Sequence, residues 1–329
     1  MVHGRNFAAG VPGGVLSAIA DPNPDVRAST AAELGVERTF EDPRLAVTDH
    51  DIDAVVIAAP TALHAELAVL ALDAGKHVLC EKPLAASVDH ARDVVAAAER
   101  SSAHLLMGFM RRFDAGFMRA AERVSAGDIG VPLMVRSTGR GPGLPPEWAW
   151  DTERSGGLLA EVNSHDIDSI RWLSGQEISS AYVVGRAAKH PEIAVKYPGF
   201  VDVLVATFEL SGGGLAQLDG VCPSTYGYDA RVEVLGTEGT LLIGASDVAG
   251  APVLVRNNGA VVDTVSSWRT LFDAAYREED RHLIAVANGE EEPRTCADDG
   301  LQTMLVVIAG NRSLREGRAV EVSQNPGEA

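Results

Sequence analysis

The sequence is poor in cysteine, in positive charge and in long apolar runs. Its cysteines are three, Cys80, Cys222 and Cys296, widely spaced, with no Cys-x-x-Cys pair and no neighbouring histidine cluster. That pattern excludes a disulfide framework and a zinc site and leaves reduced thiols. Basic residues number 28 against 46 acidic ones, a formal charge of −18, which opposes phosphate backbones and anionic headgroups and so excludes nucleic acid and membrane surfaces as partners. No stretch reaches the length of a membrane span, and no charged n-region followed by an apolar h-region opens the chain, so the expected compartment is the cytoplasm. Internal repeats and low-complexity tracts are also absent. A Gly-x-Gly-x-x-Gly turn between a strand and a helix, the usual cradle for a dinucleotide pyrophosphate, is missing too.

What the chain does have is length and apolar content. Its 329 residues, 46 % hydrophobic, suffice for two buried cores. Residues 1–14 read as a helix that stops near Gly10, followed by the turn Val11-Pro12-Gly13-Gly14. Val15 to Asp21 then reads as a strand ending on an aspartate. Helices over Asp25 to Leu34, Leu63 to Ala74 and Ser87 to Arg100 alternate with strands over Val36 to Phe40, Ala54 to Pro60, His77 to Cys80 and His104 to Met110. This alternation predicts an α/β fold with a parallel sheet over residues 1–130. From residue 131 to 329 the pattern changes to short strands separated by glycine turns, at Leu133 to Ser137, Ile178 to Val184, Val201 to Leu210, Gly214 to Val221, Arg231 to Leu235 and Leu241 to Ile243. Helices close the chain at Phe272 to Asn288 and Asp298 to Glu316. An α+β domain with a largely antiparallel sheet is expected there.

Two stretches carry chemistry. His77-Val78-Leu79-Cys80-Glu81-Lys82-Pro83 is a short apolar strand ending in a lysine whose direction Pro83 restricts. Ligands of open α/β sheets bind outside the carboxyl ends of the strands, which puts Lys82 at the mouth of a site; the alternative is a solvated strand-end lysine. Gly156-Gly157-Leu158-Leu159-Ala160-Glu161-Val162-Asn163-Ser164-His165-Asp166-Ile167-Asp168 reads as one helix that aligns Glu161, His165, Asp168 and Trp172 along one side. A carboxylate and an imidazole one turn apart can face a common ligand. A purely structural pair and a metal site are the competing readings, the latter disfavoured because no second cluster supplies further ligands.

The strand ending in Pro60-Thr61, the helix after His64 and the Glu-Lys-Pro exit together resemble the glucose-fructose oxidoreductase and inositol dehydrogenase family (Gfo/Idh/MocA). The resemblance implies an N-terminal NAD(P)-binding Rossmann-type domain and a C-terminal domain for substrate and oligomer contacts, giving a homodimer or homotetramer. It implies an NAD-dependent dehydrogenase acting on a secondary hydroxyl of a sugar or cyclic polyol. Lys82, His165 and Glu161 would be catalytic, and Asp21, Pro60, Thr61, His64, Glu81 and Lys82 would line the cofactor, with Asp21 favouring NAD over NADP. Arg112, in Gly108-Phe109-Met110-Arg111-Arg112-Phe113-Asp114, and Tyr226 and Tyr228 would reach the substrate. No metal is expected. Where the family has Arg-Asp-Pro, this chain reads Arg140-Gly141-Pro142, which removes a carboxylate for a substrate hydroxyl.

The family opens with a strand and glycine turn that would precede Met1, so the expectation is either an initiation codon further upstream or a shortened domain with weakened cofactor affinity. Two other activities stand beside the dehydrogenase: an NAD-assisted glycosidase and a catalytically silent sugar- or nucleotide-sensing protein.

Overall fold

Capping residues set the ends of the first helices. The computed structural model describes residues 1–244, 253–256, 259–262 and 265–325. In it α1 (Val2–Gly10) stops at Gly10, whose φ is 104°. The following turn is a packed loop, since a Cβ at Gly14 would lie 2.8 Å from Ile284 and 3.4 Å from Phe7. Next come β1 (Ile19–Ala20), α2 (Pro24–Leu34), β2 (Thr39–Phe40), α3 (Pro43–Val47), β3 (Ala54–Ile57), α4 (His64–Asp73), β4 (His77–Cys80), α5 (Val88–Arg100) and β5 (Leu105–Met107). Asn23 accepts hydrogen bonds from the Asp25 and Val26 amides at the head of α2, and Gly35 ends that helix in the left-handed conformation. Ser87 caps α5 in the same way, and Ala91, Val94 and Ala97 form its buried stripe.

The expected parallel sheet is present in two pieces. β3, β4 and β5 pair in parallel in that order, whereas β1 pairs in parallel with β2 alone. β1 is shorter than the seven-residue strand expected from the sequence. Its partner among the described residues is only two residues long, and Val15 is 86 % exposed, so nothing extends the ladder towards the turn. Leu105, Leu106 and Met107 are buried without alternation, the pattern of a strand covered on both faces.

After Asp114 the chain enters a second compact unit, Ala115–Phe272 with Gln302–Ala329; the first unit is Met1–Asp114 with Asp273–Leu301. The second unit contains α6 (Ala115–Ser125), β6 (Pro132–Arg140), α7 (Thr152–Ser155), α8 (Gly157–Glu161), α9 (Ser164–Ser174), β7 (Ile178–Arg186), α10 (Pro191–Lys196), β8 (Val203–Leu210), β9 (Leu215–Val221), β10 (Asp229–Gly236), β11 (Thr240–Ile243), β12 (Val253–Arg256), β13 (Gly259–Val262) and α11 (Trp268–Leu271). With β14 (Val320–Glu321) they build a seven-stranded sheet in the order β11-β10-β6-β9-β8-β7-β14, while β12 and β13 pair apart from it. Every neighbouring pair in the large sheet is antiparallel except β6 with β9.

The chain then returns to the first unit. α12 (Asp273–Ala287) lays Leu283 and Val286 on Leu79 and Leu106, with Phe7, Ala54 and Val56 packed around them. Each such buried leucine contributes about 1.5–3 kcal/mol relative to exposure, so a helix from the far end of the sequence closes the sheet that carries Lys82. α13 (Ala297–Glu316) follows, and at its start Gly300 leaves room for Leu84 and Met107.

Candidate active site

In the first unit the candidate residues stand after the carboxyl ends of β1, β3 and β4. Asp21 follows β1, and one of its oxygens accepts the Asn23 amide. Pro60 and Thr61 follow β3 and open a short 3₁₀ turn. Lys82 follows β4 and is joined to Pro83 by a cis peptide. His64, expected to line the cofactor, is a buried strap: Nδ1 lies 2.7 Å from the Pro83 carbonyl and Nε2 lies 2.8 Å from the Ala59 carbonyl. The imidazole thus ties the turn after β3 to the turn after β4.

Glu81 is held from below. His3 Nε2 lies 3.1 Å from Glu81 Oε1 and His3 Nδ1 lies 2.7 Å from Asp280 Oδ1, while Asn6 Nδ2 donates to the second Asp280 oxygen at 2.7 Å. Glu81 Oε2 accepts the Lys82 backbone N–H at 3.2 Å. A Cβ at Gly108 would stand 3.1 Å from Glu81 Cα, so Gly108 leaves the space Glu81 fills. Glu279, from the same helix as Asp280, is fully buried beside this group, with neither carboxylate oxygen hydrogen-bonded.

The protonation states follow from these contacts. Burial alone lowers the His3 pKa, but the hydrogen bonds to Asp280 and Glu81 and the charges of Asp280 and Glu279 outweigh it and carry it up to about 10. Burial likewise raises Glu81, and His3 and Lys82 reverse that, holding Glu81 below the usual carboxylate range. Glu279 is driven well above it, chiefly by burial, with the Glu81 and Asp280 charges adding to the rise and His3 opposing it. A carboxyl group and an imidazole, both with raised pKa, therefore share one buried cluster.

Both raised groups bind more protons folded than unfolded, so their contribution to stability is complete below the unfolded pKa and falls as pH rises above it. For His3 that window runs from 6.5 to about 10. One excess proton is worth about 1.4 kcal/mol per pH unit. Thermal unfolding followed from neutral pH to pH 10 is expected to show a loss on the order of 3 kcal/mol, which His3→Gln largely removes. A flat profile in the parent protein would contradict the assigned charge.

Arg112 is not poised over an open site. It is buried, and its guanidinium donates to Asp299 Oδ1 at 2.6 Å and to the Arg294 carbonyl at 3.1 Å, which fastens the end of the 3₁₀ turn Met110–Phe113 to the start of α13.

In the second unit the expected single helix is two. α8 ends at Glu161, the chain breaks at Val162 and Asn163, and α9 starts at Ser164. Glu161 and His165 are therefore not one turn apart on a continuous helix. Glu161 borders a small recess with Pro145, Ala149, Thr152, Phe200 and Cys222. His165 is buried at the head of α9, and its carbonyl accepts Ser169 Oγ at 2.7 Å. Asp168 is buried next to Arg171, whose guanidinium grips Glu177 at 2.6 and 2.8 Å. Glu161, His165 and Asp168 do not gather ligand atoms for a metal; among the described residues that grouping occurs at Asp49, His50 and Asp51, near the surface.

The head of α9 is locked to the sheet. Asp166 Oδ1 accepts Ser137 Oγ at 2.6 Å and Asp166 Oδ2 accepts Asn163 Nδ2 at 2.9 Å, all three residues being buried. Asn163 Nδ2 also reaches the Gly139 carbonyl at 3.3 Å. Gly139 on β6 and Gly220 on β9 are register partners. A Cβ on either would collide with Asp166 or Asn163.

The two tyrosines take structural contacts. Tyr226 donates to Asp229 at 2.6 Å and accepts from Arg140 at 2.9 Å, and Arg140 in turn pairs with Asp219 at 2.6 Å. Burial and Asp229 raise the Tyr226 pKa against the opposing effect of Arg140, which makes it a poor base. Tyr228 packs edge-on against Phe272.

Sequence reasoning missed His3, Asp280, Asn163 and Asp166. One signal was available for α9: Asn163 followed three residues later by Asp166 is a helix start. For α1, His3 and Phe7 stand one turn apart, and Phe7 faces the core.

Nothing among the described residues resembles a membrane-crossing helix, and all three thiols are free. Comparison with known proteins is consistent over the whole length. The model of the oxidoreductase family with an NAD-binding Rossmann fold matches residues 1–109, and that of the GFO/IDH/MocA C-terminal domain matches residues 117–242. The chain is 32 % identical to scyllo-inositol 2-dehydrogenase (NAD(+)) of Bacillus subtilis, covering 97 % of this chain and 92 % of that protein. It is 31 % identical to myo-inositol 2-dehydrogenase of Thermotoga maritima, covering 98 % and 95 %. The crystal structure of scyllo-inositol dehydrogenase from Lactobacillus casei with bound NAD(H) and scyllo-inositol superposes with a TM-score of 0.88 at 28 % identity, covering 98 % and 95 % of the two chains. The parallel sheet, the mixed and largely antiparallel sheet, and these matches from one end to the other agree: the chain belongs to the GFO/IDH/MocA family of oxidoreductases.

Proposed function

We propose that this protein is an NAD-dependent dehydrogenase of a secondary hydroxyl on a sugar or cyclic polyol. The observation that carries the reading is Lys82 at the carboxyl end of β4, on a turn tied down by Glu81 and His64, in a chain whose relatives along nearly its whole length are named inositol dehydrogenases.

Bound nicotinamide would supply the hydride acceptor. The donor set fits such a group at two of its parts. Asp21 offers a carboxylate to the adenosine ribose hydroxyls and repels a 2′-phosphate, which favours NAD over NADP. Pro60, Thr61, Glu81 and Lys82 would border the nicotinamide. Imidazole is suited to carry a proton in both directions near neutrality, so His165 takes the hydroxyl proton during oxidation and returns it during reduction. Lys82 hydrogen-bonds the same oxygen and offsets the negative charge that develops there. Glu161 accepts a hydrogen bond from a neighbouring substrate hydroxyl. Gly141 supplies no carboxylate, and Arg140 beside it is committed to Asp219, which favours a polyol or sugar other than myo-inositol.

The test is a panel of inositol isomers, sugars and aryl glycosides with NAD or NADP, followed by reduced-nicotinamide absorbance. Oxidation of a cyclic polyol or sugar is expected, with NADP poorer by about tenfold or more. Release of sugar from a glycoside without accumulation of reduced coenzyme would replace this reading with the glycosidase one.

A further inference from the structure

The reaction proposed above needs Lys82 to leave β4 in one direction, yet the lysine itself sits on an irregular turn. What lies beneath that turn is a charge cluster drawn from three elements: buried His3 of α1, partly buried Glu81 after β4, and buried Glu279 and Asp280 of α12. Tyr276, also of α12, meets the His3 ring edge-on with ring centres 5.5 Å apart. These four residues and Asn6, through its bond to Asp280, are the polar and ring groups that surround His3.

An imidazole between two carboxylates donates from both nitrogens. His3 is therefore a rigid bridge, one end fixed on Asp280 and the other on Glu81. Glu81 in turn uses its second oxygen on the Lys82 amide. The backbone at Lys82 is thereby joined to a chain of contacts that begins on α12, about 200 residues away in sequence. We infer that His3 is a positioning residue for Lys82, acting through Glu81 and anchored by Asp280.

The inference rests on the assignment of Lys82 to the reacting oxygen, and the experiment separates the two. His3→Gln, His3→Ala, Lys82→Ala and the double variant His3→Ala/Lys82→Ala are compared with the parent. Turnover, KM and thermal unfolding are measured, and Lys82 is labelled with a small amine-reactive reagent and quantified against Lys76 by mass spectrometry. His3→Ala is expected to lower kcat about 10- to 100-fold with KM for the polyol changed less than about threefold. Added imidazole should restore part of the loss. At saturating NAD the double variant should be little slower than Lys82→Ala, because the proposed route from His3 to the reacting oxygen runs through Glu81 to Lys82. In folded His3→Gln, the labelling rate of Lys82 relative to Lys76 should shift by about threefold or more, and this readout needs no substrate.

If Lys82→Ala keeps full turnover, the assignment of Lys82 fails. If Lys82→Ala loses turnover while folded His3 variants keep kcat and parental Lys82 labelling, the positioning role fails. Losses that multiply in the double variant overturn it as well. Should His3→Ala not fold, labelling and kinetics of His3→Gln decide the matter.

Discussion

Gly139→Ala is expected to destabilise the second unit by about 2–6 kcal/mol and to abolish turnover at temperatures where the variant is still folded. The added methyl would sit inside the contact distance of Asp166 and Asn163, both of which are fully buried and hydrogen-bonded to each other. Overpacking a filled interior costs about 1–3 kcal/mol, and pushing Asp166 off Ser137 leaves a buried carboxylate short of a donor, for a further 1–3 kcal/mol or so. Gly220→Ala should behave alike, since Gly220 faces Gly139 across the β6–β9 pair and its Cβ would strike Asn163. The functional loss follows from the covalent geometry: Ser164 and His165 lie between Asn163 and Asp166, so moving the head of α9 moves the imidazole. Gly143→Ala is the matched control, because a Cβ there meets nothing within 4 Å. Chemical denaturation of the three variants checks the argument, and a Gly139→Ala protein within about 1 kcal/mol of the parent would refute the lock.

The parts of this fold that were legible in the sequence are those where one local signal decides the outcome. Gly35 and Asn23 fix both ends of α2, and the Leu105 to Met107 run declares a strand buried on both faces. The strands of the large sheet announce themselves by alternation, as in β8, where buried and exposed residues take turns from Leu204 to Leu210. Less legible were the places where a distant partner decides. Arg111-Arg112 looks like a binding pair until Asp299, 187 positions later, is seen to hold Arg112. Tyr226 reads as a residue that reaches the substrate, and nothing local shows that Arg140 and Asp229 engage its hydroxyl. Glu279 and Asp280, adjacent acids on α12, are buried in the core, and Asp280 meets His3 from 277 positions away. The break in the helix at Val162–Asn163 belongs to the same class: leucine periodicity runs straight through it, and the reason to stop is the grip of Asn163 on Gly139 and Asp166. Of the residues proposed for the site, the placement of Lys82 after a strand and of His165 on a helix was readable; the contacts around them were not, because each joins residues far apart in the chain.

Lys82→Ala and His165→Ala are each expected to reduce kcat/KM for polyol oxidation by about 10²–10⁴-fold, the range for loss of a general base or of a donor to a developing oxyanion. In free energy that is about 3–5 kcal/mol of transition-state stabilisation. The two losses should differ in their pH signature. Removing His165 removes the group that takes the proton, so the acid limb of the kcat/KM profile flattens and the residual rate rises with hydroxide. Removing Lys82 leaves that limb in place and lowers the plateau. If both groups act on one hydroxyl, the double variant will be little worse than the poorer single variant, because groups that work on the same atom lose most of their effect together. Independent sites would instead multiply the losses to about 10⁴-fold or more. Multiplying losses, or a His165→Ala enzyme that keeps its acid limb, would remove His165 from the reacting oxygen and leave Lys82 to act with another base.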